Sequence, residues 1–299
     1  MSVINKLTLL FFGISMVSCF FIKDNKAFEY IAEVSFAAFI VMIFVISRKQ
    51  KSNAKKTKSI KSDFIASDYP RLSYDTESCL PIEEFSSFGI ISPKDRNYNY
   101  TSEGLISGLA NGVPFRAERA ELYYLVKRTG NSSRRVSAYK GIIAVYDLRF
   151  CCPYKIKVYA SHVVAGNEES SLSNIVRKIA DVGNSFTDDD MSGVDLTSAF
   201  GKPVMVYSTD VGYAAEFYDE KRISSLKNIP FERIIIDSNR LVLCLNSENA
   251  TIVRDAERNA GPKIRYVDYN ADVDAEKVKA DTKINLDMIL SFPNDIGLR

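Results

Sequence analysis

Two long apolar stretches open the chain, and a short polar break separates them. Residues 7–22 and 28–47 carry little charge, and Lys23-Asp24-Asn25-Lys26 lies between them. A helix that crosses a hydrocarbon core of about 30 Å needs about 20 apolar residues. The second stretch has this length, whereas the first is short and requires local thinning of the bilayer. The pattern predicts a transmembrane helical hairpin over residues 1–47.

The basic segment that follows predicts the orientation of this hairpin. Residues 48–62 contain no acidic residue and seven basic ones, which are Arg48, Lys49, Lys51, Lys55, Lys56, Lys58 and Lys61. Lys and Arg accumulate on the cytoplasmic side of membrane spans, and the break holds only two lysines. We therefore expect the amino terminus and residues 48–299 on the cytoplasmic side.

Two other interpretations of the apolar stretches stay open. The lysine-bearing start of the first stretch also fits a signal peptide, and Met16-Val17-Ser18-Cys19 is similar to a lipoprotein processing site. Cleavage there would leave the second stretch crossing inward, so the expected location of the rest would not change. Both stretches could instead be core helices of a water-soluble protein, but an apolar surface on all sides of a helix disfavours this.

The segment after the hairpin, residues 48–82, reads as a basic, serine-rich linker. Lysine and serine dominate its first part, and Pro70, Ser73 and Ser78 interrupt any regular pattern later. We expect a cytoplasmic body over residues 83–299, either as one domain or as two subdomains that separate near residues 185–200.

Alternation of apolar and polar residues predicts that the body is rich in antiparallel strands. Strand patterns occupy residues 98–102, 113–127, 136–150, 154–164 and 203–208, and a hairpin is predicted over 231–246. Asn111-Gly112 marks a tight hairpin turn. Helical spacing occurs in residues 170–182, 220–228 and 275–290. The fold class is therefore α+β, with mostly antiparallel strands and a few amphipathic helices after the two-helix hairpin.

The charge distribution limits the kinds of partner. Residues 1–62 hold 10 basic and 3 acidic residues, which leaves 29 basic and 34 acidic residues, a net charge of −5, in residues 63–299. A mildly acidic body argues against nucleic-acid binding, which needs a basic face. The basic segment 48–61 instead suits anionic lipid headgroups, each cation contributing about 1 kcal/mol near the surface. The bilayer and other membrane or cytoplasmic proteins are the expected partners.

Cysteine and acidic residues give no convincing metal or cofactor site. The five cysteines, Cys19, Cys79, Cys151, Cys152 and Cys244, lack a repeated spacing, and His162 is the single histidine. We expect reduced, buried or strand-end thiols. Asp188, Asp190 and Ser192 match the first half of a calcium loop, but Ala199 stands where the bidentate Glu belongs. Residues 186–195 are interpreted as a solvated acidic loop.

Three stretches, taken in order, resemble the bacterial membrane-protein family called domain of unknown function 3137. The first runs from Phe88-Gly89-Ile90 to Ala120-Glu121-Leu122, the second covers residues 139–147, and the third covers residues 206–217. The positions that carry the resemblance include Tyr100, Gly108, Glu121, Gly141, Tyr207, Ser208 and Asp210. The resemblance implies an integral protein of the bacterial inner membrane, and it supplies no activity and no catalytic residues.

Three functional hypotheses follow from these patterns. No phosphate-binding loop, nucleophile elbow or zinc-protease motif is found, which favours a membrane-anchored interaction or scaffold module. A module that binds lipid headgroups at the membrane surface is the second hypothesis. A membrane-tethered enzyme that uses Ser208 and Asp210, with Glu216 close by, is the third. A serine and an aspartate at a strand end more often form a capped turn.

Overall fold

A computed structural model describes most of the chain. The described residues are 3–20, 26–91, 98–127, 133–160, 191–200, 204–227, 229–246 and 273–297. The chain divides into two compact units, Met1–Lys61 with Val267–Lys279 and Ser62–Tyr266 with Ala280–Arg299. The helix predicted over residues 170–182 lies outside the described residues, as does His162.

Two helices begin the chain, and the second is much longer than its apolar part. Helix α1 is Val3–Phe20 and helix α2 is Lys26–Asp68. Residues 48–68 contain neither glycine nor proline, so the helix continues through the basic segment and ends shortly before Pro70. The expectation of a linker from residue 48 is therefore corrected, because residues 48–68 are helical.

Strands of the second unit form one antiparallel sheet in the described residues. In chain order they are β1 Ser73–Asp75, β2 Asn99–Ala110, β3 Val113–Lys127, β4 Ser133–Asp147, β5 Ile156–Ala160, β6 Ser192–Asp195, β7 Val204–Ser208, β8 Arg233–Asp237 and β9 Arg240–Asn246. Their spatial order is β1-β2-β3-β4-β9-β8-β5-β7-β6, and all neighbours are antiparallel. The predicted α+β class with mostly antiparallel strands is confirmed.

The sheet is not a simple meander. The β8–β9 hairpin, which was predicted, lies between β4 and β5, because β9 pairs with β4 and β8 pairs with β5. All five residues of β5 are buried, as an interior strand requires. The β2–β3 turn is of the predicted kind, since Asn111 and Gly112 both have positive φ, at 50° and 84°.

The start of the body differs from the expectation, and part of the predicted acidic loop is a strand. Strand β1 pairs with β2 and Leu80 is fully buried, so the body begins before residue 83. Strands β6 and β7 belong to the same sheet, which they join through β5. Residues 192–195 were expected in an acidic loop, but they form the edge strand β6.

Different elements cover the two faces of the sheet. The described helices of the body are α3 Ile82–Ser87, α4 Thr197–Phe200, α5 Val211–Phe217, α6 Glu220–Lys227 and α7 Ala275–Asp295. On one face, Phe217, Leu226 and Phe292 from α5, α6 and α7 join the sheet core. The Tyr146 hydroxyl of β4 donates to the Ile289 carbonyl oxygen at 2.8 Å and ties α7 to the sheet.

The other face is covered by residues 80–91, which we call the strap. Its apolar side chains Leu80, Phe85, Phe88 and Ile90 are buried in one cluster with residues of β3, β4, β8 and β9. The strap contains the short helix α3, and it returns to the sheet at its end, where the Arg233 guanidinium donates to the Ile90 carbonyl oxygen at 3.3 Å. The central strands β3, β4, β9 and β8 are therefore buried on both faces.

We predict that Phe85→Ala destabilises the full-length protein by about 3–5 kcal/mol, because it leaves a cavity between strap and sheet. Phe85 has no exposed surface. The matched control is Leu109→Ala, whose side chain is 59% exposed and which should change stability by no more than about 0.5 kcal/mol. Denaturant unfolding measures both, and an equal loss in the two variants contradicts the assignment of the strap to the core.

Candidate functional site

The residues buried on α1 and α2 are small and partly polar. Among the described side chains of α1 and of the apolar part of α2, up to residue 47, they are Ser15, Ser18, Ala32 and Ser35. The Ser15 hydroxyl donates to the Ala32 carbonyl oxygen at 3.3 Å, and the ring centroids of Phe12 and Phe39 lie 5.2 Å apart. Small residues let two helix backbones approach closely, as is usual between membrane helices.

Large apolar side chains of the same two helices point outward. The exposed ones are Leu7, Leu10, Phe12, Ile14, Met16, Val17, Tyr30, Ile31, Val34, Phe36, Ile40, Val41, Ile43, Phe44 and Val45. This distribution is the inverse of a water-soluble helix pair, which buries large apolar residues and exposes polar ones. Within the described residues, one helix, Tyr30–Asp68, is long and apolar enough to cross a membrane by length and composition.

The seven basic residues predicted to contact lipid all lie on α2. Arg48, Lys51, Lys55 and Lys56 are exposed, and Lys49, Lys58 and Lys61 are half-buried. The buried residues of this part of the helix are Asn53 and Thr57, one helical turn apart. The cations therefore cover the wide arc of the helix away from Asn53 and Thr57, which we call the basic arc.

Glu118 of β3 is a carboxylate that lies beneath the strap, with 2% of its surface exposed. It accepts hydrogen bonds from the Leu80 N–H at 3.2 Å, from the Ser102 hydroxyl at 2.7 Å and from the Tyr100 hydroxyl. These donors belong to the strap and to β2. Glu118 thus connects the strap with two neighbouring strands.

Burial raises the pKa of Glu118, and the three hydrogen bonds oppose this effect. The nearby Glu84 carboxylate raises the pKa of Glu118 further. Burial and then the Glu118 carboxylate raise the pKa of Tyr100. The Tyr100 hydroxyl therefore keeps its proton at neutral pH and donates it in a hydrogen bond, while Glu118 takes up a proton more readily than an exposed carboxylate does.

Glu118 was not among the residues singled out in the sequence. Glu118 alternates with Ala120 and Leu122, which places it on the face of β3 that the strap covers. Arg116, which precedes Glu118 on the same face, is polar too. In the structure, Arg116 is balanced by Glu84 of the strap, whose carboxylate lies 3.0 Å from the guanidinium. Leu80 and Glu84 of the strap thus provide partners for Glu118 and Arg116 of β3. No local pattern in the sequence of β3 reveals these partners.

Ser208 and Asp210 form the cap of a helix. Asp210 is the N-cap of α5, and its carboxylate accepts from the Tyr213 N–H at 2.9 Å. The buried Ser208 hydroxyl accepts from the Asp210 N–H at 3.1 Å. Glu216 is exposed on α5. These hydrogen bonds are those of a capped turn, the alternative to the catalytic interpretation.

The other positions of the family resemblance have separate roles. Gly108 of β2 permits close approach, since a Cβ there would lie 2.5 Å from Cδ2 of Leu72 and 3.1 Å from the Arg71 carbonyl oxygen. Glu121 faces Lys140 at 3.9 Å across β3 and β4. Gly141 of β4 pairs with Ala120.

The ring of Tyr207 packs against Gly193 of the edge strand β6, where a Cβ would lie 3.0 Å from Cε1 of Tyr207. Strands β9, β8 and β5 separate the Tyr207 group, which includes Ser208 and Asp210, from Tyr100, Gly108, Glu121 and Gly141. The sheet therefore does not bring the seven positions together in one site.

The cysteines do not form a reactive cluster in the described part of the chain. Cys79 and Cys151 are exposed, Cys152 and Cys244 are buried, and all four are free. Burial raises the pKa of the Cys244 thiol to about 12, so this thiol stays neutral at physiological pH. The side chain of Cys19 and the residues Asp188 and Asp190 lie outside the description. No group of three or more potential metal ligands occurs among the described His, Cys, Asp and Glu residues.

Comparisons with known proteins identify no family for this chain. No family model matches the chain. No curated protein matches it. Among solved structures, the chain is similar to the crystal structure of the mycobacterial trehalose monomycolate transport factor A, TtfA, with a TM-score of 0.38 and 11% sequence identity over 85% of this chain and 95% of that chain. A likeness at this level carries no functional argument.

We predict that Glu118 makes stability depend on pH in one direction. Its folded-state pKa is raised above the ordinary value of 4.5, so the folded state binds the proton more tightly than the unfolded state. The stabilisation that this proton gives is complete below about pH 4.5 and is lost as pH rises through the raised pKa. The parent should therefore lose stability relative to Glu118→Gln as pH rises.

Unfolding of the full-length protein between mildly acidic and neutral pH measures this difference. The matched control is Glu83→Gln in the same strap, because the Glu83 side chain is exposed. A constant gap between the parent and Glu118→Gln at every pH would contradict the role assigned to the buried carboxyl group.

Proposed function

We propose that this protein is a membrane-anchored interaction module, with α1 and α2 as a transmembrane hairpin and the α+β body on the cytoplasmic side. The observation that carries the proposal is the inverted surface of the helix pair. Its buried residues are small, including Ser15 and Ser35, whereas large residues such as Val34 and Phe44 are exposed. Water is a poor solvent for such a surface, and hydrocarbon is a good one.

The contacts between the two helices support a hairpin rather than a cleaved leader. Ser15 bonds the Ala32 backbone, and Phe12 contacts Phe39, so α1 has a partner inside the anchor. A signal peptide that is removed has no need of such contacts. In the proposed arrangement, α1 stays in the membrane beside the apolar part of α2.

The charge asymmetry supports a cytoplasmic location for residues 48–299. Seven cations follow the apolar part of α2, and the polar break between the helices holds two lysines. An amino terminus on the cytoplasmic side follows from a hairpin of two spans. The proposed location is the bacterial inner membrane, and membership of the domain of unknown function 3137 family is part of the same proposal.

The basic arc supports lipid-headgroup binding as a second function of the same anchor. It continues the helix that carries the apolar stretch, so cations follow directly where the apolar side chains end. Anionic headgroups lie at this level of a bilayer and attract each cation by about 1 kcal/mol. We therefore assign two roles to the basic arc: it sets the orientation of the hairpin and it contacts lipid headgroups.

The hydrogen bonds of the body favour an interaction module over an enzyme. Ser208 and Asp210 are used in a helix cap, and Glu118 is used to hold the strap. Each of these groups has a structural partner that would be lost if it took part in a reaction. The body, on this proposal, presents surfaces to partner proteins or to lipid.

We predict that a green fluorescent protein fused after residue 299 is fluorescent and that alkaline phosphatase at the same place is inactive, because the body faces the cytoplasm. Alkaline phosphatase inserted in the break after Asp24 should be active, since the break lies on the outer side. Replacing Lys51, Lys55 and Lys56 by Gln should weaken this asymmetry.

The matched control replaces three exposed cations of the body, Arg71, Lys221 and Lys227, by Gln and should leave the reporter pattern unchanged. Active phosphatase after residue 299, with an inactive one in the break, would overturn the proposed orientation. Phosphatase inactive at both places would overturn the hairpin.

A further inference from the structure

Strands β3 and β4 extend beyond their neighbours in the sheet. The pairing of β2 with β3 ends at Asn99 and Tyr123, and the pairing of β4 with β9 ends at Gly141 and Asn246. Beyond these points, residues 124–127 and 133–136 pair with each other. In the described part of the chain no third strand accompanies them. We call these two segments the ribbon.

The ribbon concentrates positive charge. Its last three cross-strand pairs are Leu125 with Arg135, Val126 with Arg134, and Lys127 with Ser133, so each pair contributes one cation. No acidic residue occurs between residues 122 and 138. Three pairs span about 10 Å of strand, which is close to the Debye length at physiological ionic strength. The backbone register therefore places three basic residues at the ribbon of a body whose net charge is −5.

Apolar and aromatic residues accompany these cations. Leu125 is 56% exposed, and Tyr123 and Tyr124 precede it on β3. The ring of Tyr124 meets that of Tyr98 edge to face, with centroids 5.7 Å apart, which supports the base of the ribbon. Basic residues, tyrosines and an exposed aliphatic residue within one short segment are the composition of segments that lie at a membrane interface.

We propose that the ribbon is a second membrane contact, which binds the surface of an anionic bilayer. The inference rests on the proposed function, because a tethered body meets the bilayer at high effective concentration. Charge complementarity favours anionic lipid, and the exposed Leu125 favours a surface with an apolar interior over a purely polar anion. The bound ribbon would limit the orientations of the body at the membrane.

The absence of tryptophan from the chain gives a direct test. Leu125→Trp places a single tryptophan on the ribbon of the full-length protein, which is reconstituted into phosphatidylcholine vesicles with or without phosphatidylglycerol. The matched reporter is Leu109→Trp, because Leu109 is 59% exposed and lies near the opposite end of the β2–β3 hairpin, about 36 Å away along the strands.

With phosphatidylglycerol present, the emission of Trp at position 125 should shift to shorter wavelength and lose intensity to brominated acyl chains. The signal at position 109 should not respond. Replacing Lys127, Arg134 and Arg135 by Gln should abolish the response at position 125. The same change at Arg71, Lys221 and Lys227 should preserve it.

Equal emission in neutral and anionic vesicles overturns the inference, as does a response that survives replacement of the three ribbon cations. A response at position 109 equal to that at position 125 overturns it too, because the contact would not be specific to the ribbon. A tryptophan at Phe44 in the same vesicles separates the two proposals. If brominated chains quench it while position 125 stays silent, the anchor stands and only the ribbon contact is wrong.

Discussion

The proposed location of the whole molecule depends on the exposed apolar side chains of α1 and α2. Removing one large aliphatic or aromatic side chain from water is worth about 1.5–3 kcal/mol, and fifteen such residues are exposed among the described side chains of this helix pair. The pair buries small residues instead, so its own packing does not hide the large ones. A hydrocarbon environment would satisfy this surface, and the proposed location of the basic arc and of the body depends on it.

The body depends on a different constraint, which is that its sheet is apolar on both faces. Helices α5, α6 and α7 cover one face, and the strap covers the other. The strap makes backbone hydrogen bonds of its own between Pro81 and Ile91, and side chains of the sheet bind backbone groups near its two ends. Glu118 accepts from the Leu80 N–H, and Arg233 donates to the Ile90 carbonyl oxygen. Two buried charged side chains of the sheet therefore fix the two ends of the strap.

Local patterns predicted the elements better than their arrangement. Alternation and turn residues located β2, β3, β4 and the β8–β9 hairpin, and helical spacing located α6 and α7. The order of the strands depends on which edges meet at long range, so no local pattern revealed that β8 and β9 separate β4 from β5. The extension of α2 was missed because a segment rich in lysine and serine was taken for a linker, although lysine is a good helix former and residues 48–68 contain neither glycine nor proline. Glu118 was also missed, because its hydrogen-bond partners come from the strap and from β2 and no local pattern of β3 indicates them.

A single tryptophan at Phe44 measures the central claim most directly, because the natural chain has none and Phe44 is exposed on the apolar part of α2. In the full-length Phe44→Trp protein reconstituted into vesicles, brominated acyl chains should quench the emission strongly and aqueous acrylamide should have little effect. A tryptophan at Lys55, on the basic arc, should show the reverse order of quenching. Strong acrylamide quenching at position 44 without quenching by brominated chains would contradict the membrane anchor.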